Sequence, residues 1–560
     1  MTAEQVNDQL TAPATDRWNL EILYKGLDDP QFKADYAKFQ DTMNRAEAHL
    51  PRLIESKEPE VIVEGIALLE ELATLSEKLG AYPSLLQSAD TRNSEYASVL
   101  NKLMMDATRM EAYQVVFLQK VRDIEDLEQF SRDHNLEHYR FALQEAKKDA
   151  SFKLERQLEE LAAKLNISGG SAWSQLRSYL TATLEVDWEG KATTLSDIRN
   201  LAYEADRDVR RRAYEAELAS YSKIDSSLAF ALNSIKSQVT LLARERGYTS
   251  PLDEALHASR LDQATLDTML DVMQKHFPDF RRYLKAKAKL VNGSDKLPWY
   301  DLFAPVGKVE DKYTIAESRD YLLDVFTPLS ADIAEVMRRA YDEQWIDFLP
   351  RQGKVGGAFC ANLPSVKQSR VLTNFDGSYN SLSTLAHELG HAYHGYCIED
   401  HAPLNRNYSM PVAETASTFN ETHLTLQAVA KTEDPQARLA VLEGFLSGTT
   451  QTIVDIFSRF LFEKEVFERC ENEFLNSAAL QEIMLRAQDA TYGDALDETL
   501  RHPFMWACKG HYYSPGLSYY NFPYAFGALF SMGLYNMYRE EGQSFMDKYA
   551  DMLHTTTIAS

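Results

Sequence analysis

At 560 residues, with 44% hydrophobic and 26% charged positions, the chain can bury an extensive core and does not have the composition of a disordered protein. A formal net charge of −25 repels nucleic-acid phosphates, which disfavours that class of partner and favours solubility. Cys360, Cys397, Cys470 and Cys508 are widely spaced and form no CxxC pair, which argues against a disulfide framework and leads to the expectation of a reducing, cytoplasmic setting.

The first 18 residues, MTAEQVNDQLTAPATDRW, have no basic region followed by an apolar run, so no leader is read there. Asp28-Asp29-Pro30 is a helix start, and apolar residues follow at Phe32, Tyr36, Phe39, Met43, Ala46 and Leu50 with helical period. Long charged helices of the same kind are predicted over 58–80, 94–131, 135–166 and 197–246, with their alternating charges on solvated faces. NISGGSAW at 166–173 is a break, and beyond it Ala182, Leu184, Val186 and Trp188 alternate as in a short hairpin. LPWYDLFAP at 297–305 is an irregular link. Around 353–375 the texture turns glycine-rich and then β-like, and Gly353, Gly356 and Gly357 suit either a mobile loop or a plain turn. Tyr519 to Tyr538 is uncharged over 20 residues. Its Asn521, Pro523, Ser531 and Asn536, and the lack of flanking Lys or Arg clusters, mark a buried core helix rather than a membrane span. The expected architecture is mainly α-helical, with one small sheet beside the helix that carries the next motif.

That motif is HELGH, in LSTLAHELGHAYHG at 382–395. Residues i and i+4 share a helix face, so His387 and His391 project side by side, as two imidazoles on one Zn²⁺ must. Glu388 points about a quarter-turn away, where it can serve as general base to a water beside the metal. With 13 histidines in the chain, HExxH arises by accident in roughly two or three such chains per hundred, so context has to decide. Leu382, Leu385, Ala386 and Leu389 make the helix mostly apolar, which turns its polar groups toward an interior or cleft where they need partners. Gly390 costs about 1 kcal/mol mid-helix relative to Ala, which close approach by another element would justify. For a third ligand, the metzincin spacing HExxHxxGxxH fails, because His394 and Cys397 stand where glycine and histidine belong. Cys397 itself, Glu399 or Asp400 just beyond, and Glu414 in PVAETASTFNETHLTLQAVAK at 411–431 are the alternatives. Glu421, two turns after Glu414 on the same face, can bond a ligand histidine from behind.

HELGHAYH followed by VAETASTFNE resembles the oligoendopeptidase F branch of the thimet-oligopeptidase family of zinc metallopeptidases. The likeness extends to GKVGGAFC upstream and to RWNLEILYKGLDDPQF near the N-terminus, and so covers nearly the whole chain. It implies a two-lobed, mainly α fold with a zincin-like core and a deep substrate channel. It also divides the chain into an N-terminal helical lobe, 1–195, and a catalytic zinc metallopeptidase domain, 196–560. His387, His391 and Glu414 match the family's ligands for one Zn²⁺, Glu388 matches its base, and His394 matches a histidine that is not a ligand. GHYYSPGLSYYNFPYAFG at 510–527 resembles the family's substrate loop. There His511 falls on the histidine, Tyr524 on the last tyrosine and Tyr520 or Tyr519 on an earlier one, while Phe522 stands where relatives often carry tyrosine. The function this implies is hydrolysis of internal bonds in short unstructured peptides, with His511, Tyr524 and Tyr520 holding the oxyanion. A β-strand near Val371–Phe375 is expected to pair with the extended substrate. Oligopeptide substrates, no nucleic acid and no membrane complete the expectation. A zinc carboxypeptidase or dipeptidase on a related scaffold, or a non-catalytic peptide-binding protein, are the alternatives.

Overall fold

The computed structural model describes residues 16–307 and 312–559; residues 1–15, most of the stretch read for a leader, lie outside it. Helices dominate. In the N-terminal part they are α1 (Pro30–Glu55), α2 (Pro59–Ala89), α3 (Ser94–Thr108), α4 (Glu111–Arg122), α5 (Leu127–Asp133), α6 (Arg140–Ser151), α7 (Arg156–Ser168) and α8 (Gly170–Ala182). A hairpin of β1 (Glu185–Trp188) and β2 (Lys191–Thr194) follows, then α9 (Leu195–Asn200), α10 (Arg207–Tyr221), α11 (Asp225–Glu245), α12 (Pro251–Ser259) and α13 (Gln263–Val291).

The expected long helices are therefore shorter than the charge pattern suggests. Capping side chains explain the breaks: Asp126 accepts from the Gln129 amide at 2.9 Å and starts α5, and Asp206 accepts from Asp208 at 2.8 Å and starts α10. Conversely, α2 runs on to Ala89 through Pro83. The GlyGly break is one residue wide, and α8 follows it at once. The hairpin forms with Glu185 paired to Thr194 and Trp188 to Lys191; Ala182 belongs to α8.

Beyond the link come α14 (Ile315–Phe326), α15 (Ala331–Asp342), β3 (Ile346–Asp347), β4 (Phe359–Leu363), β5 (Gln368–Leu372) and α16 (Tyr379–Cys397). The three strands form one sheet in the order β3-β5-β4, parallel and then antiparallel, with Cys360 opposite Val371. This corrects one expectation. The strand reaching Val371 is the middle one, with Val371 and Leu372 paired on both sides, so these two residues have no backbone groups to offer a substrate; β4 is an edge strand. The glycine segment is tied down, because Gly353 O accepts from the Thr91 amide at 2.7 Å and Asn374 Nδ2 donates to Val355 O and Gly357 O.

The last elements are α17 (Met410–Ala413), α18 (Thr415–Lys431), α19 (Pro435–Thr450), a π-helical turn (Gln451–Asp455), α20 (Ile456–Cys470), α21 (Ser477–Tyr492), α22 (Met505–Cys508), α23 (Phe522–Glu541) and α24 (Ser544–Thr555). Three buried apolar cores result. One joins residues of 18–143 to Leu363 and Leu372 on the sheet. A second joins 184–302 to 453–525. The third packs α14, α15, α16, α18 and the C-terminal helices together. Burial of Ala525, Ala528, Ser531 and Leu534 in α23 fits the core-helix reading, and among the described residues no helix is long and apolar enough to cross a membrane.

Candidate active site and metal centre

Ser378 caps α16 by accepting from the Ser381 amide at 3.2 Å. Leu382, Leu385, Ala386 and Leu389 bury one side of this helix completely. The other side faces α18, and Gly390 sets the separation: a Cβ there would lie 2.6 Å from both Ala416 O and Ser417 Cα. The two backbones touch at Gly390, where the helix carries no side chain.

This contact brings Glu414 to the histidines. Glu414 sits between α17 and α18, with φ −86° and ψ 2°, so it lies at a helix junction rather than inside one continuous helix. Its Oε2 is 3.2 Å from His387 Nε2 and 3.5 Å from His391 Nε2. Ligands about 2.0–2.1 Å from a tetrahedral ion stand roughly 3.3–3.4 Å apart, so this His₂Glu set has the size and chemistry to hold Zn²⁺. The backs of the ligands are also held. Glu421 Oε2 lies 3.4 Å from His387 Nδ1, the Ala413 backbone bonds His391, and Ser417 Oγ donates to Glu414 Oε2 at 3.0 Å. Such partners fix ring orientation and leave Nε2 as the ligand atom. Packing from the far side adds to this, since a Cβ on Gly527 of α23 would stand 3.2 Å from Glu414 Cβ.

The competing third-ligand residues are elsewhere. Glu399 and Asp400 pair with Lys367 at 3.5 and 2.5 Å, and Cys397 is bonded to Tyr393. His394 is fully buried, bonded to Thr556 Oγ1 at 2.8 Å and stacked on Tyr408 with centroids 4.4 Å apart. Burial pushes its imidazole down to about 3, aided by His391, so it packs as a neutral ring.

The electrostatics are those of a carboxylate–imidazole cluster in a poorly hydrated place. Burial opposes the charge on Glu414, but the two histidines outweigh it and hold its carboxyl at about 2. Burial likewise opposes protonation of His387, yet its bonds to Glu414 and Glu421 raise it to about 10, while burial and the His387 charge push His391 to about 4. Glu388 is 6% exposed and has no hydrogen-bond partner among the described residues. Burial raises its carboxyl to about 7, with His387 opposing and Glu414 reinforcing. A carboxylate poised there is suited to taking and returning a proton near neutrality.

The C-terminal end of the 510–527 segment, at Tyr524 and Gly527, lies beside Glu414. The Tyr520 and Tyr524 hydroxyls are hydrogen-bonded to each other, and the His511 and Tyr520 rings are 5.7 Å apart. Burial, Tyr520 and the Glu414 charge all raise the Tyr524 phenol, so it stays protonated and able to donate. Tyr519 points the other way, with φ 53°, packed against Phe460 and Phe467. Phe522 is buried at the start of α23. Sequence reasoning missed the anchors of this loop: Arg177 Nη2, which donates to Ala507 O and Cys508 O at 3.0 and 2.6 Å, and Asn521, bonded to His511 at 2.8 Å. Nothing in their local spacing signals those contacts.

Among the described residues one other group has metal-ligand character, Glu217 with His502 and Cys508. It already has protein partners. The Tyr221 hydroxyl lies 2.9 Å from Glu217 Oε1 and 3.0 Å from Cys508 Sγ, and Arg199 stands 3.6 Å from the same carboxylate. It is an internal ion-pair network.

Comparison with known proteins shows the family and the fold. Residues 200–555 match Peptidase family M3, and residues 123–185 match Oligopeptidase F. Oligopeptidase PepF of Bacillus subtilis is 25% identical over 98% of this chain and 83% of its own length. Group B oligopeptidase PepB of Streptococcus agalactiae is 29% identical over 59% of this chain and 54% of its own. In fold, a Chlamydophila abortus chain superposes with a TM-score of 0.82 at 20% identity, covering 97% of this chain and 92% of that one. Oligoendopeptidase-F from Enterococcus faecium gives 0.68 at 22%, covering 94% and 91%. The family match spans well over half the chain, and the chain belongs to peptidase family M3, in its oligopeptidase F branch.

Proposed function

We propose that this peptidase is a zinc-dependent oligoendopeptidase that cleaves internal bonds of short, unstructured peptides. One observation carries the reading: a single oxygen of Glu414 lies within 3.5 Å of the Nε2 atoms of both HExxH histidines, beside a buried Glu388 with no hydrogen-bond partner among the described residues. His387, His391 and Glu414 hold the ion, which when bound supplies Lewis acidity to the scissile carbonyl and to the attacking water. Glu388 takes a proton from that water and passes it to the leaving amine. Tyr524, His511 and Tyr520 direct their hydrogens at the oxygen that becomes negative, where preorganised donors are most effective. The open edge of β4 orients the peptide backbone, which gives register without strong side-chain preference. A channel between an N-terminal lobe, 1–195, and a catalytic part, 196–560, restricts access to flexible chains. Four free cysteines suit a reducing, cytoplasmic location, and the acidic surface suits work without nucleic acid or membrane.

Glu388→Gln tests the mechanism. Metal content is expected to stay at one ion per chain while turnover falls by about 10²–10⁴-fold; an active variant would falsify the assignment. An internally quenched peptide blocked at both ends tests endopeptidase action, since an exopeptidase leaves it intact.

A further inference from the structure

The loop that carries His511 contains a chain of contacts that the proposed chemistry does not use. Arg459, on α20, is mostly buried and ion-paired with Asp455 of the π-helical turn, and the other Asp455 oxygen accepts from the Tyr492 hydroxyl at 3.2 Å. Arg459 Nη1 donates to Asn521 Oδ1 at 2.9 Å. On the far side of the same amide, Asn521 Nδ2 lies 2.8 Å from His511 Nε2.

The donor and acceptor chemistry leaves one consistent assignment. A guanidinium only donates, so the Asn521 atom facing it is the oxygen and the atom facing His511 is the NH₂ group. That NH₂ group only donates in turn, so His511 Nε2 must accept and carries no hydrogen. The ring proton of a neutral imidazole is then on Nδ1, which has no hydrogen-bond partner among the described residues. The ring is neutral: burial, followed by the charges of Arg459, Lys236, Lys509 and Arg177, pushes His511 down to about 3. A histidine's tautomer is set by whatever its other nitrogen bonds, and here that partner is itself oriented by a fixed cation.

We propose that Arg459, acting through Asn521, is a positioning residue that holds His511 as the Nδ1–H tautomer, so that Nδ1–H is the hydrogen His511 offers to the substrate carbonyl. This rests on reading His511 as a donor to the substrate. An amide at 521 is essential to the device. An aspartate there would accept from both sides, draw a proton onto Nε2 and move the ring to the other tautomer or to the imidazolium.

The test uses full-length, metal-loaded protein labelled with ¹⁵N-histidine, with the His511 signals assigned by their loss in His511→Gln. Long-range proton–nitrogen correlation at neutral pH is expected to show Nε2 unprotonated and Nδ1 protonated. This measurement needs no destabilising variant. In Asn521→Asp, Nε2 is expected to gain a proton while kcat falls about 10–100-fold with KM nearly unchanged. Arg459→Lys keeps a cation on Asp455 but directs one donor less well, and is expected to fall between the two. A wild-type Nε2–H signal overturns the proposal while leaving His511 its role. A shifted tautomer in Asn521→Asp with parental kcat overturns it as well. If His511→Gln itself keeps parental kcat, the underlying donor reading fails and the proposal goes with it.

Discussion

His387 and His391 are one helical turn apart, and Glu414 reaches them because α16 and α18 touch at Gly390. His511, Tyr520 and Tyr524, which we propose serve the same centre, sit on a loop held by side chains hundreds of residues away, Arg177 among them. In the helix pair, helical period and one missing side chain set the geometry, so distances follow from spacing. In the loop, the useful direction of each hydroxyl depends on tertiary anchors and on one left-handed residue, Tyr519. A catalytic site thus combines a part that is locally determined with a part that only the folded chain creates.

The sharpest way to break this comparison is to exchange the tyrosines' roles. If Tyr524 is the oxyanion donor we propose, Tyr524→Phe is expected to lower kcat by about 10²–10³-fold, or ~2.7–4 kcal/mol, with metal content unchanged. Tyr519→Phe, whose ring packs against Phe460 and Phe467, is expected to keep kcat near the parental value. Steady-state kinetics with a blocked quenched peptide checks both, and the opposite ranking would reassign the loop. On the helix side, Gly390→Ala inserts a Cβ 2.6 Å from the Ala416 carbonyl. Overpacking of this kind costs about 1–3 kcal/mol, and because it separates α16 from α18 it is expected to weaken metal binding together with melting temperature. An unchanged melting temperature would show that the close approach does not set the site.

His394 lies behind the ligand helix and sharpens the comparison through pH. Its folded value, about 3, lies below the ordinary ~6.5 of an unfolded histidine, so the unfolded chain binds more protons between these limits. The stability it contributes is present in full above pH ~6.5 and is lost as pH falls toward 3, at up to about 1.4 kcal/mol per pH unit. Denaturant titrations across pH 4–7 are expected to show a flatter decline in His394→Gln than in the parent. An identical slope would remove His394 from the acid response.

Legibility in the sequence follows the same division. The HExxH face and the glycine contact are local periodicities visible as spacing, whereas spacing leaves Glu414 one of several candidates for the third ligand, and the family resemblance singles it out. Strand order was not. The apolar run through Val371 and Leu372 announces a buried strand equally well at an edge or in the middle, and only the partners β3 and β4 decide which. Tyr519 and Tyr520 are adjacent and chemically identical, and the backbone turn that separates their directions leaves no compositional trace. The long charged segments were read as single helices because a capping aspartate such as Asp126 looks, in sequence, like one more surface charge.

Glu421 gives the smallest and most discriminating prediction for the helix pair. It sits two turns beyond Glu414, its Oε2 is 3.4 Å from His387 Nδ1, and its side chain remains 44% exposed. A long, partly hydrated contact transmits less than a short buried one, so Glu421→Gln belongs at the low end of the ~10–100-fold range for partners behind a ligand. The glutamine oxygen can still accept from Nδ1–H and keep the ring oriented, so the variant isolates the carboxylate's charge from its geometry. Chelator competition is expected to show metal affinity about 10-fold weaker, with kcat at saturating metal close to the parent. Lower kcat at full metal occupancy would mean that the charge behind His387 acts on the reaction itself as well as on holding the ion, and the helix pair would then depend on remote groups as the loop does.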